Sequence, residues 1–127
     1  MKIYGIGTDI VNIQRIRNSI KKNVFVKRLF NKREVKKCSA HINKANCYAK
    51  RFAAKEAFTK ALGTGISKGI NFNEILIQNI KSGKPTIKLL GNTRKIVNKT
   101  LKRQKFNIFL SLSDDKPFAV ATVIISI

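Results

Sequence analysis

The stretch YAKRFAAKEAFTKALGTG, residues 48–65, decides how this chain is put together. Ala54, Ala57, Phe58, Ala61 and Leu62 recur at intervals of three and four and trace one apolar stripe along a helix. Alanine favours helix and lets a neighbouring element come close. Glu56 and Lys60 stand one turn apart on one flank of the stripe, while Arg51 and Lys55 form a separate pair on another. A Glu followed four residues later by a Lys has two readings. It is a surface ion pair worth about 0.2–0.5 kcal/mol, or an acid and a base gathered at a site. Gly63 ends the helix and Gly65 keeps the following turn flexible. The turn is not a Walker loop, because the glycine-lysine-serine arrangement is missing.

The helix needs a partner, and MKIYGIGTDI at residues 1–10 supplies it. Residues 2–8 read as a strand in which Gly5 and Gly7 allow close approach by backbone or ligand. Strand alternation places Asp9 on the face of Gly5 and Gly7. Asp9 is then an acid beside a side-chain-poor surface, or else it or Asn12 caps the next helix. If strand and helix meet, Asp9 and Glu56 are expected to share a divalent metal, with Lys60 beside it.

The remaining chain carries further periodic segments. Ile13, Ile16 and Ile20 mark a basic amphipathic helix that also bears Arg15, Arg17, Lys21 and Lys22, and Phe25, Leu29 and Phe30 a second packing segment. Asn31 and Glu34 have the spacing of a capping box. Residues 39–44 are ambiguous, and the periodic part of the central helix begins near Cys47. Residues 70–80 read as a strand, Ser82-Gly83 as a turn, and 86–90 as a second strand limited by Pro85. Asn92 or Thr93 is expected to cap a helix carrying Ile96, Val97, Thr100 and Leu101. Its other faces hold Arg94, Lys95, Lys99, Lys102 and Arg103. Residues 107–113 and 118–126 form a hairpin across DDKP. The order is one strand, several helices, two strands, a helix and two strands. This predicts a single α+β domain over residues 1–127, an antiparallel sheet packed with helices.

Twenty-seven basic residues against six acidic ones leave a formal charge of +21, while 43% hydrophobic content argues for a folded core. The charge favours a polyanionic partner: nucleic acid, an acidic protein or a phosphorylated small molecule. Sparse aromatics offer no base-stacking repeat, which weakens the alternative of a basic nucleic-acid-binding module without enzymatic activity. No apolar run is long enough for a membrane helix and the amino terminus does not resemble a signal peptide, so a cytoplasmic protein is expected. Cys38 and Cys47 are expected to be ordinary thiols. With His41 as the one histidine, neither a Cys₂His₂ nor a His₃ zinc site is available.

Four segments together resemble the holo-[acyl-carrier-protein] synthase family: GIGTDIVNIQRI at 5–16, RFAAKEAFTKALGTGI at 51–66, GKP at 83–85 and SLSDDKPFAVATVII at 111–125. The resemblance implies the 4'-phosphopantetheinyl transferase fold, a homotrimer with sites between subunits, and transfer of the 4'-phosphopantetheine arm of coenzyme A to a serine of apo acyl carrier protein. It makes Asp9 and Glu56 the ligands of Mg²⁺ and Lys60 the lysine beside the phosphates. Arg15 becomes a contact for the acidic carrier protein, with Arg17 and Lys21 as neighbours in that role. Arg51, Gly63, Gly65, Lys84 and Pro85 fall in segments that shape the coenzyme A site. Asp114 stands where many members of the family have a histidine, so no general base is expected there.

Overall fold

The computed structural model describes residues 1–64 and 69–127. In chain order, β1 (Ile3–Asn12) leads into α1 (Ile13–Ser19), α2 (Asn23–Leu29), α3 (Lys32–Ser39) and the long α4 (Lys44–Leu62). A 3₁₀ turn (Phe72–Glu74) enters a hairpin of β2 (Ile75–Asn79) and β3 (Pro85–Leu89). Then come α5 (Gly91–Leu101) and a second hairpin, β4 (Asn107–Asp115) and β5 (Phe118–Ser126).

The alternation along β1 and β5 explains how the two ends of the chain meet. Gly7 and Val11 of β1 and Ala119, Ala121, Val123 and Ile125 of β5 are buried, while Ile6, Thr8 and Ile10 stay exposed. Antiparallel pairing sets Gly7 opposite Val123 and Asp9 opposite Ala121. With β4 on the far side of β5, the strands run in the order β1-β5-β4. The buried face of this sheet rests on the alanine stripe of α4, where Ala53, Ala54, Ala57, Phe58 and Ala61 are all at most 2% exposed.

The antiparallel architecture is as expected, but it is divided between two sheets. β2 and β3 pair only with each other. β3 lies alongside β4 without pairing to it, and residues of both line a cleft of about 320 Å³. The first strand runs on to Asn12, beyond the expected residue 8, because β5 matches it residue for residue to Phe118. Asn12, not Asp9, caps α1: its Oδ1 accepts the Gln14 amide at 2.8 Å. The central helix starts at Lys44, ahead of Cys47, with Asn43 as its cap. The strand read at 70–80 shortens to Ile75–Asn79, the residues before it being taken up by the 3₁₀ turn.

Two further departures come from partners that the chain brings together by folding back on itself. Neither Asn92 nor Thr93 acts as the cap of α5. The carboxylate of Glu74 accepts both of their backbone amides, at 3.1 and 3.2 Å, and the Thr93 hydroxyl at 2.8 Å. Cys38 and Cys47 are joined in a disulfide between α3 and the first turn of α4, correcting the expectation of two free thiols. A separation of nine residues did not suggest it, because only the turn between α3 and α4 folds one cysteine onto the other.

The second anchor of α4 is an ion pair with no access to solvent. Lys55 Nζ donates to Glu34 Oε1 and to the carbonyls of Phe72 and Ile75, each at 2.7 Å. Glu34 in turn accepts the Asn31 amide, completing the capping box of α3, and the Ile77 amide of β2. Both side chains are 0% exposed. Every donor of the ammonium is used, which is the condition for a buried charge to be tolerated. Burial still lowers the Lys55 pKa to about 8, against the pull of Glu34.

Replacing Glu34 with alanine is expected to cost about 3–5 kcal/mol in urea unfolding, because it strands the Lys55 ammonium. A double replacement, Glu34→Gln with Lys55→Met, should recover part of that loss; equal stability of the single variant and the parent would refute the anchor. Alkylation of the unreduced, denatured chain should add no label, and prior reduction should admit two.

Candidate active site

The site exists because β1 crosses α4 with no side chain between them. A Cβ built on Gly5 would fall on the Ala61 carbonyl oxygen, and one on Gly7 on the Ala57 carbonyl oxygen and near the Ala61 amide. Glycine is therefore required at both positions for the observed contact. Asp9 is the next inward position after Gly7, where the strand clears the bare crossing. Its side chain is 16% exposed.

Across from it, Lys60 comes from the last turn of α4. Its ammonium donates to Asp9 Oδ1 at 3.1 Å and to the Thr8 carbonyl at 2.9 Å. Glu56, one turn earlier on the same flank, is half-buried. Its pKa is raised, first by burial and then by the charge of Asp9, with Lys60 opposing. Asp9 and Glu56 line one cavity of about 280 Å³, with Arg15 and Ser19 of α1 completing its polar side. Ile10, Val11, Ile16, Phe25 and Phe52 supply its apolar wall. The expected trio of Asp9, Glu56 and Lys60 is thus brought together, and Arg15 joins it.

Two carboxylates lining one cavity, with the charge of Asp9 raising the proton affinity of Glu56, suit a small hard dication. Among the described residues no group of three His, Cys, Asp or Glu gathers. A cation held by Asp9 and Glu56 would therefore keep positions for water and for substrate oxygens, as Mg²⁺ does. The donor set fits.

Other expected residues lie elsewhere. Arg51 is 5% exposed and does not line the cavity. Its Nη1 donates to the Cys47 carbonyl and Sγ, both at 3.2 Å, and burial lowers its pKa. Gly63 is the left-handed cap of α4, and Gly65 lies outside the described residues. Lys84 and Pro85 sit where the second hairpin strand begins, and neither lines the cavity. Arg17 and Lys21 are exposed, in and just beyond α1. Asp114 is engaged away from the cavity, accepting from Asn46 at 3.0 Å and facing Lys50 at 3.4 Å, and these partners lower its pKa. The apolar wall was not foreseen. Phe52, four residues before Glu56, carried the helical spacing that could have placed it beside the acid.

The matching family model is that of the 4'-phosphopantetheinyl transferase superfamily, over residues 5–123. A holo-[acyl-carrier-protein] synthase of Pelagibacter ubique is 48% identical over 125 residues, which is 98% of either chain. The crystal structure of the synthase from Neisseria meningitidis superimposes with a TM-score of 0.86 at 37% identity, covering 98% of this chain and 99% of that one. The synthase from Bacillus anthracis, solved in complex with coenzyme A (3',5'-ADP), gives 0.81 at 32% identity, over 99% and 98% of the two chains. The chain belongs to the 4'-phosphopantetheinyl transferase superfamily and, within it, to the holo-[acyl-carrier-protein] synthase family.

In a carboxyl-resolved NMR titration Glu56 should take up its proton above the ordinary carboxylate range. Its midpoint should fall in Asp9→Asn and rise in Lys60→Met. A group whose folded pKa is raised opposes folding once it ionises, so Glu56→Gln should melt higher than the parent at pH 7. A lower melting temperature would contradict that sign.

Proposed function

We propose that this chain transfers the 4'-phosphopantetheine group of coenzyme A to a serine of apo acyl carrier protein. The products are holo acyl carrier protein and adenosine 3',5'-bisphosphate, and the step serves fatty acid biosynthesis in the cytoplasm. The observation that carries this reading is that Asp9 and Glu56 line one cavity while Lys60 pairs with Asp9, in a chain of this family. No helix among the described residues is long and apolar enough to cross a membrane.

Asp9 and Glu56 would hold Mg²⁺, which when bound draws charge from the pyrophosphate of coenzyme A. The serine hydroxyl attacks the phosphorus of the pantetheine phosphate, and the bond to the leaving nucleotide breaks. The serine proton passes to Glu56 or to water beside it. Lys60, paired with Asp9, would offset the charge that grows on the leaving group. Direct transfer needs no covalent enzyme intermediate, and the cavity holds no Cys-His or Ser-His pair.

The exposed Arg15, Arg17 and Lys21 give the acidic carrier protein a basic landing face, with Arg15 at the cavity itself. Arg51, Gly63, Gly65, Lys84 and Pro85 are assigned to coenzyme A together with Lys60. The described ones among them do not line the cavity within one chain, which is consistent with sites shared between subunits of a homotrimer. The outer face of the β1-β5-β4 sheet supports such an assembly. Ile6, Ile124 and Phe109 form one cross-strand row, with Ile10 and Val120 in another, and Ile6 and Ile10 are over 60% exposed.

The test is to incubate the chain with apo carrier protein, coenzyme A and Mg²⁺ and to follow the carrier by intact mass. Phosphopantetheine addition should require the metal and fall by roughly two orders of magnitude or more in Glu56→Gln. Full transfer by that variant at saturating Mg²⁺ would remove Glu56 from the mechanism.

A further inference from the structure

The Lys60 ammonium occupies the carboxylate that a dication would need. It lies 3.1 Å from Asp9 Oδ1, and its second contact is the uncharged Thr8 carbonyl at 2.9 Å. The two partners differ in freedom, Asp9 being fixed on a strand at 16% exposure while the lysine side chain is 53% exposed. A half-exposed ammonium on a four-carbon stem leaves a carboxylate readily, because water replaces the lost hydrogen bond. Its field also reaches Glu56, where it opposes the influence of Asp9. Lys60 therefore screens both acids of the pair.

We propose that Lys60 is an exchangeable counter-ion of the metal site, competing with the dication for Asp9 until phosphate oxygens draw it away. The proposal rests on the reading of Asp9 and Glu56 as the metal pair. A dication approaching Asp9 meets a carboxylate already neutralised and a positive charge beside it. A pyrophosphate entering with the metal offers the ammonium a new anionic partner, so the lysine swings off Asp9 as the metal arrives. Metal and coenzyme A then strengthen one another's binding, and Lys60 carries part of that reciprocal coupling. Arg15 is the natural control. It lines the cavity of Asp9 and Glu56 and brings the same charge as Lys60, yet the ion pair at Asp9 is made by Lys60.

The experiment measures Mn²⁺ affinity by the electron paramagnetic resonance of the free ion, with and without coenzyme A. The parent chain is compared with Lys60→Met, Arg15→Met and Asp9→Asn, all checked for folding by circular dichroism. Without coenzyme A, Lys60→Met should bind Mn²⁺ about three- to tenfold more tightly than the parent. Arg15→Met should change affinity by less than about twofold. The enhancement of Mn²⁺ binding by coenzyme A should shrink in Lys60→Met. Binding by Lys60→Met where the parent alone shows none would support the proposal equally. Unchanged or weaker binding in Lys60→Met overturns it, as does an equal gain in Arg15→Met. Loss of binding in Asp9→Asn shows that the metal pair itself stands even then. Undiminished binding in Asp9→Asn overturns the proposal and the metal reading together.

Discussion

Backbone lies on backbone where β1 crosses α4, and the geometry around Asp9 follows from that contact. The strand contributes Gly5 and Gly7, the helix Ala57 and Ala61, and a single methyl group on either glycine would collide with a helix carbonyl. Strand and helix are thereby held closer than ordinary side chains permit. This is how a short acid such as Asp9 meets a lysine from the neighbouring element. Any residue that wedged the two apart would leave Asp9 and Glu56 facing water in separate places.

The opposite flank of the same helix is tied down by charge. Lys55 and Glu34 bind α3, α4, the 3₁₀ turn and β2 through five hydrogen bonds, four of them buried. The disulfide adds a covalent link between α3 and α4. One helix thus carries two charged pairs with opposite fates. Glu56 and Lys60 remain accessible enough to handle ions, whereas Lys55 is sealed in and serves only the architecture. Spacing along the helix is alike for both, so what separates them is what packs on each flank. Beside Glu56 there is an open cavity, and over Lys55 there are the carbonyls of Phe72 and Ile75.

Local chemistry was legible from the residues. The alanine stripe, the parity of Gly5, Gly7 and Asp9 and the Asn31–Glu34 capping box all depend on neighbours within a turn or a few strand positions, and all are found as read. What depended on distant partners was not legible. Nothing near Asn92 announces that Glu74 will cap α5, and nothing near Lys55 announces a carboxylate from α3. That β2 and β3 stand as a sheet of their own is a tertiary matter, which strand patterning does not announce. Arg51 shows the same limit: its helical position was clear, but its burial against Cys47 came from the fold around it.

The chain holds only six carboxylate side chains, and the fold employs five of them. Asp9 and Glu56 make the cavity, Glu34 neutralises an interior lysine, Glu74 starts a helix, and Asp114 ties the end of β4 to α4. Acids in such a basic chain are therefore concentrated at joints, with almost none left as surface decoration. Acidification would undo the contacts of Glu74 and Asp114, whose carboxyls are held below their ordinary pKa by those contacts, while removing the negative charges that offset the 27 basic residues. Self-repulsion and the failure of these contacts would then arrive together, with no reserve of idle carboxylates to blunt either.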